Sequence, residues 1–245
     1  MSGLLNDRIA LVTGSGRGLG RAIARTFAAE GATVALHGRN LDRLEAVRQE
    51  IEQAGGESFI VAGDLTDDAT CRQVVATVVE RAGRLDLLVN NAGISRELPF
   101  AEMPLEVWDE IVAVNLRSVV VCTQEVVRHM IERGGGGNIV TIASASAIRG
   151  LPGSTAYSAA KAGVVGFCQA LGDELRPVGI RVNALCPGPV DTELFRQSER
   201  REFILAAGGD VFDPETVASG ALFLASEMSA GMSSQVLTMR GFNRW

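Results

Sequence analysis

Tyr157 and Lys161 stand four residues apart in the run Tyr-Ser-Ala-Ala-Lys, and Tyr157 is the sole tyrosine of the chain. On a helix this spacing puts both side chains on one face. A phenol of pKa about 10 is a poor base at neutral pH, and a nearby ammonium favours its phenolate. Such a pair could give a proton to a carbonyl oxygen or take one from an alcohol. A second constellation is Thr13-Gly14-Ser15-Gly16-Arg17-Gly18-Leu19-Gly20. Glycines permit a tight turn and let a pyrophosphate approach the backbone, where the following helix offers N–H groups and its dipole. A third is His37-Gly38-Arg39-Asn40, after the second apolar run. NAD-selecting folds place an acid there for the ribose 2′-hydroxyl. Here Arg39, joined by Arg17 from the glycine loop, makes a site with two guanidiniums and no carboxylate, suited to a 2′-phosphate. NADP(H) is the expected cofactor, with NAD(H) as the alternative.

These residues need strands and helices to hold them. Ile9–Thr13 is a short apolar strand, and a helix follows the glycine loop as far as Glu30. Strands are expected at Thr33–His37, Ser58–Ala62, Asp86–Asn90, Asn138–Ala143, Ile180–Cys186 and Gln235–Met239. Helices are expected at Leu41–Ala54, from Asp67 and Asp68 to about Ala82, as one long helix from Pro104 to about Arg133, at Thr155–Arg176, and from Asp213-Pro214 onward. Gly134 to Gly137 read as a surface turn. Alternation of this kind predicts an α/β, doubly wound Rossmann fold. It has a single parallel sheet of about seven strands, with helices on both faces and ligands at the strands' carboxyl ends. No break in composition divides the chain, so residues 1–245 read as one domain.

The wide spacing Thr-Gly-x-x-x-Gly-x-Gly of Gly14, Gly18 and Gly20, with Tyr157 and Lys161 further on, resembles the short-chain dehydrogenase/reductase family in its compact single-domain branch. The likeness runs from about Ile9 to Gln235 and includes members like the 3-oxoacyl-(acyl-carrier-protein) reductases. It implies a tetrad of Asn115, Ser144, Tyr157 and Lys161, with Ser144 thirteen residues before Tyr157 holding the substrate oxygen and Asn115 serving a water chain to Lys161. Ser146 is the nearest competitor for the serine role. The resemblance assigns cofactor contacts to Gly14, Ser15, Arg17, Gly18, Leu19, Gly20 and Arg39, with Gly38 standing where an NAD-selecting acid would be. It adds Asp64 and Leu65 beside the adenine, the Asn91-Ala92-Gly93 part of an N-N-A-G motif, and Lys161 on the nicotinamide ribose. Beyond the sixth strand it adds Pro187, Gly188, Val190 and Thr192, with Val190 backbone and Thr192 hydroxyl toward the carboxamide. The expected reaction is hydride transfer between a ketone or keto ester and a secondary alcohol. The competing reading is an NADP-binding regulatory or scaffold protein on the same fold.

Composition bounds the alternatives. Apolar residues make up 47% of the 245 residues and aromatics only 5%, which calls for a core of Ala, Val, Leu and Ile. A net charge of −6 argues against nucleic acid or an anionic membrane as partner, and no apolar run is long enough for a membrane span. The start Met-Ser-Gly-Leu-Leu-Asn-Asp-Arg lacks the pattern of a secretory signal. Cys71, Cys122, Cys168 and Cys186 show no metal or redox spacing and read as buried free thiols of a cytoplasmic protein, with no metal site. The segment from Glu193 to Asp213 reads as a substrate lid, and Ile94, Ser95, Ile148 and Leu151 as an apolar pocket beneath it. Ketoacyl carrier-protein reductases carry a basic residue shortly before the last helix start. Here Gly208-Gly209-Asp210-Val211-Phe212 stands there instead, a departure that weighs against that substrate. Arg240 and Phe242 replace residues of the family's usual ending; Phe242 and Trp245 read either as simple hydrophobic plugging or as packing at a subunit interface or near a neighbour's pocket, in an expected homotetramer or homodimer.

Overall fold

The computed structural model describes residues 3–199, 201–206 and 209–240. Phe242 and Trp245, read as a hydrophobic plug or as interface residues, lie outside the described residues. Seven parallel strands form one sheet in the order β3-β2-β1-β4-β5-β6-β7. They are β1 (Ile9–Val12), β2 (Thr33–Gly38), β3 (Glu57–Ala62), β4 (Leu87–Asn90), β5 (Gly137–Ile142), β6 (Ile180–Pro187) and β7 (Val236–Met239). The order reverses between β1 and β4, where a crevice must open at the carboxyl ends of the two strands.

Two apolar layers sandwich the sheet, which is why its strands read as continuous rather than alternating apolar runs. One face packs on α1 (Gly18–Ala29), α2 (Leu41–Gln53) and α9 (Pro214–Ala225), with Ile23, Phe27, Leu44 and Leu224 fully buried. The other packs on α3 (Asp68–Ala82), α5 (Ser118–Arg133) and α6 (Thr155–Glu174) through Val78, Val126, Met130 and Val164. Asn40 and Asp67 cap α2 and α3 as short polar N-caps do, accepting from Arg43 N and Thr70 N at 2.9 and 2.7 Å. All four cysteines are buried and unpaired. No helix among the described residues is long and apolar enough to cross a membrane.

The expected long helical stretch from Pro104 to about Arg133 is found, running unbroken through α4 (Leu105–Val112), a π-helical turn at Ala113–Arg117 and α5, with the π turn its one departure from α geometry. The physical reason is Asn115. Its Nδ2 donates to the carbonyl of Ile111, four residues back, at 2.9 Å and to Ile94 O at 2.8 Å. With the Ile111 carbonyl taken by a side chain, the backbone N–H donors shift one residue further, as Ser118 N does in reaching Ala113 O. Short helices α7 (Glu193–Arg196) and α8 (Arg201–Ala206) lie between β6 and α9.

Candidate active site

The crevice at the sheet reversal is a cleft of about 1470 Å³, larger than the 300–1,000 Å³ or so of ordinary small-molecule pockets. Gly14, Arg17, Gly18, Leu19 and Gly20 line one end. Gly14 and Gly18 take φ of +67° and +52°, and a Cβ on Gly20 would stand 2.3 Å from Gly14 O and 2.4 Å from Asn91 Nδ2. The loop is therefore compact enough to bring bare backbone against a ligand. Thr13 and Asn91 hold it to the end of β4. Thr13 Oγ1 accepts from Asn91 N and Ala92 N at 2.9 and 3.0 Å, and Asn91 Nδ2 donates to Thr13 O and Gly14 O at 2.9 and 3.2 Å. The adjacent Asn90 is buried and donates instead to Thr123 Oγ1 and Thr141 Oγ1, at 3.0 and 3.4 Å. Asp64, Leu65, Ala92, Gly93, Pro187, Gly188 and Val190 also line the cleft.

Three cofactor-side expectations need correction. Ser15 is fully buried and does not line the cleft, because its hydroxyl turns into β2, accepting from His37 N at 2.9 Å. The arginine site is not free of carboxylates. Arg39 meets Asp64 at 3.3 Å, and Arg17 meets Glu193 at 2.5 Å. Sequence distance hid both partners. Thr192 lines the cleft, but its hydroxyl donates to Val190 O at 3.3 Å and accepts from Phe195 N at 3.4 Å as the cap of α7.

The catalytic candidates converge at the carboxyl ends of β4 and β5. Ser144 follows β5 in extended backbone, and its Oγ accepts from Ser146 N at 3.1 Å and donates to Ser146 Oγ at 3.2 Å. Ser144 and Ser146 are thus tied to each other, and both line the cleft. Tyr157 and Lys161 share a face of α6 as their spacing predicts. Lys161 is 3% exposed and donates Nζ–H to Ile142 O at 2.8 Å, with Nζ 5.7 Å from the Tyr157 ring centroid. The expected lowering of the phenol is not found. Burial pushes Tyr157 above its ordinary value, and the Ser144 hydrogen bond only opposes this. Burial also pulls Lys161 down to about 8. Asn115 Oδ1 is buried without a hydrogen bond from the described residues and lies 2.7 Å from where a Gly93 Cβ would be, a point 3.6 Å from Lys161 Nζ. Ile94, Ser95 and Leu151 line the substrate end, but Ile148 is 52% exposed and outside it.

A family model described as short chain dehydrogenase matches residues 8–202. The chain belongs to the short-chain dehydrogenase family. It is 37% identical over 246 residues to the 3-oxoacyl-(acyl-carrier-protein) reductase of Chlamydia trachomatis serovar D, covering 98% of this chain and 99% of that protein. A dehydrogenase/reductase from Sinorhizobium meliloti 1021 superposes with a TM-score of 0.92 at 36% identity, covering 98% and 96% of the two chains. A short-chain dehydrogenase from Burkholderia cenocepacia in complex with NADP superposes at 0.91 with 34% identity, covering 97% and 98%. As a short-chain dehydrogenase the chain is an oxidoreductase acting between CH–OH and C=O groups. In this short-chain dehydrogenase the structure adds cleft residues that sequence reading missed, namely Arg43, Glu193 as an ion-pair partner, Arg149 and Arg240. Only Arg43 had a local signal, one turn into the helix that follows Arg39.

Proposed function

We propose that this short-chain dehydrogenase uses NADP(H) to interconvert a medium-sized ketone or keto ester and its secondary alcohol. The observation that carries the reading is that Ser144, Tyr157 and Lys161 line the same cleft as the glycine loop, with Asn115 behind Gly93. The residues fit a dinucleotide: a glycine cradle that any Cβ would fill, the N-terminus of α1 behind it, and arginines where β2 ends. Bound there, the nicotinamide supplies or accepts the hydride. Ser144 and Tyr157 hydrogen-bond the substrate oxygen and hold it for reaction. In reduction the Tyr157 hydroxyl donates its proton to that oxygen, and in oxidation the phenolate takes it from the alcohol. Lys161 supplies positive charge beneath the phenol, and Asn115 Oδ1 faces the gap beside Lys161 through which a proton can be replaced.

Substrate selection falls to the segment at about 193–213. Its stem is pinned where Asp191 N donates to Phe212 O and Phe212 N to Pro189 O, both at 2.8 Å. Leu194, Phe195 and Ile204 face the cleft from it and suit an apolar substrate body. The four buried free thiols suit a reducing cytoplasm. Assembly as a homodimer or homotetramer fits the outer face of α6, where Ala159, Ala162, Gly163 and Gly166 are exposed. Purified protein with NADPH and a panel of ketones tests the function beside Tyr157→Phe. The variant should lose about 10²–10⁴-fold in kcat. NADPH oxidation by no carbonyl, or full activity of the variant, would sink the reading. Arg39→Asp tests the cofactor, and should move preference toward NAD. An unchanged NADP/NAD ratio in both Arg17 and Arg39 variants refutes the assignment.

A further inference from the structure

Glu193 opens the segment that crosses the cleft, as the first residue of α7. Its Oε2 alone meets two guanidiniums, Arg17 Nη1 at 2.5 Å and Arg43 Nη1 at 3.3 Å. Arg17 is the residue before α1, and Arg43 sits in the first turn of α2, just after β2. Both line the cleft beside Arg39, where β2 ends and the adenosine ribose of a dinucleotide rests. The Arg17 fork holds the Glu193 carboxyl below its usual range, so it is anionic at neutral pH. A carboxylate and a phosphate use the same guanidinium fork, and one set of donors cannot serve both fully. All three side chains are about half exposed, so the ion pair is of the weak, exchangeable kind.

We propose that Glu193 competes with a cofactor 2′-phosphate for Arg17 and Arg43, so lowering the preference for that phosphate, and that its displacement by the phosphate releases α7. This rests on the NADP reading above. NAD has no group to displace the carboxylate, so the substrate-side segment stays tied to the glycine loop. With NADP the two arginines change partner and Glu193 leaves. The freed stretch is bounded by the fixed Asp191–Phe212 stem. It also carries Thr192, whose Cγ2 lies 3.2 Å from where a Gly18 Cβ would be, so its movement is felt at the glycine loop itself.

Adenosine 2′,5′-bisphosphate and adenosine 5′-monophosphate differ at the 2′-phosphate and serve as probes, with Kd measured by calorimetry on wild type, Glu193→Gln, Arg43→Gln and the double variant. Glu193→Gln should tighten the bisphosphate about five- to tenfold and leave the monophosphate within about twofold. Arg43→Gln should weaken the bisphosphate, and Glu193→Gln should bring a smaller gain when Arg43 is absent. Hydrogen exchange over 193–206 should rise when the bisphosphate binds wild type, and be raised already in ligand-free Glu193→Gln. The proposal is overturned if Glu193→Gln leaves the bisphosphate Kd unchanged, or tightens both nucleotides alike, or if exchange over 193–206 ignores the bisphosphate. A wild type that does not prefer the bisphosphate removes the NADP reading, and the proposal with it. A wild type that prefers it while Glu193→Gln changes nothing removes the proposal alone.

Discussion

His37 shows how one side chain can carry a pH dependence. It is 2% exposed at the end of β2, where burial outweighs a backbone hydrogen bond at Gly63 and the charge of Asp64. Burial lowers its pKa to about 4, so the fold holds the neutral ring. The unfolded chain protonates first, near an ordinary 6.5 or so, and stability present above that value is lost as pH falls toward about 4. We expect a loss of about 3 kcal/mol across this window, read by urea unfolding at several pH values. His37→Leu should flatten the profile there, and a profile unchanged in the variant would discard the assignment. Tyr157 and Lys161 predict a second profile. With the phenol held protonated and Lys161 near 8, carbonyl reduction should be level through neutral pH and decline above about 8 as the ammonium is lost. A reduction rate that climbs through pH 8–9 would contradict this. The spacing of the pair was legible, but its protonation was not, since burial rather than proximity governs both groups.

At the scale of elements, glycine loop and π turn carry the sharpest expectations. Gly20→Ala would place a methyl against Gly14 O and the Asn91 amide, so the loop must open. Dinucleotide affinity should fall by at least about tenfold, a loss of about 1.4 kcal/mol, and the clash with backbone should lower the melting temperature as well. Asn115→Leu leaves the carbonyls of Ile94 and Ile111 without their donor. It should cost about 1–3 kcal/mol per buried carbonyl and shift the π turn toward ordinary helix, with kcat falling alongside; an unchanged melting temperature would refute this. Strand ends were legible to within a residue or so, because buried parallel strands are short apolar runs cut by glycine and proline. The π turn was not, because helical periodicity does not show that the Asn115 amide turns back onto the Ile111 carbonyl, with its second bond going to Ile94 O twenty-one residues away.

At the scale of the molecule, the end of the sheet opposite the cleft is fastened by Asp86. Its carboxylate accepts from Ile9 N at 2.9 Å, from Arg84 Nε at 2.9 Å and from Arg133 Nη1 at 2.5 Å. Its backbone joins β1 through Ile9 O and β5 through Asn138 N. Burial raises its pKa, yet the bonds from Arg84, Ile9 and Arg133 overcome this and leave it lowered. Asp86→Asn should cost about 1–3 kcal/mol and leave KM for cofactor and substrate unchanged, since the site lies at the far strand ends. A stability within about 1 kcal/mol of wild type would rule out this clasp. The same carboxylate keeps its stabilising contribution above its unfolded pKa and loses it as pH falls below about 4, beneath the His37 window.

The sequence by itself determined the class of fold, the turn that cradles a dinucleotide, and the identity and spacing of Ser144, Tyr157 and Lys161. The fold, the turn and the Tyr157–Lys161 spacing are written in local patterns of apolar runs, glycine spacing and helical periodicity, whereas Ser144 came from the resemblance to the family. The tertiary structure alone decided what those groups meet. It turned Ser15 away from the cleft, put Glu193 on Arg17 and Arg43, brought Asp64 to Arg39, buried Lys161 and left Tyr157 half-buried, with desolvation enough to shift both pKa values. Desolvation and ion pairing depend on distance in space, and in a doubly wound sheet the cleft is assembled from segments as far apart as Gly14 and Arg240.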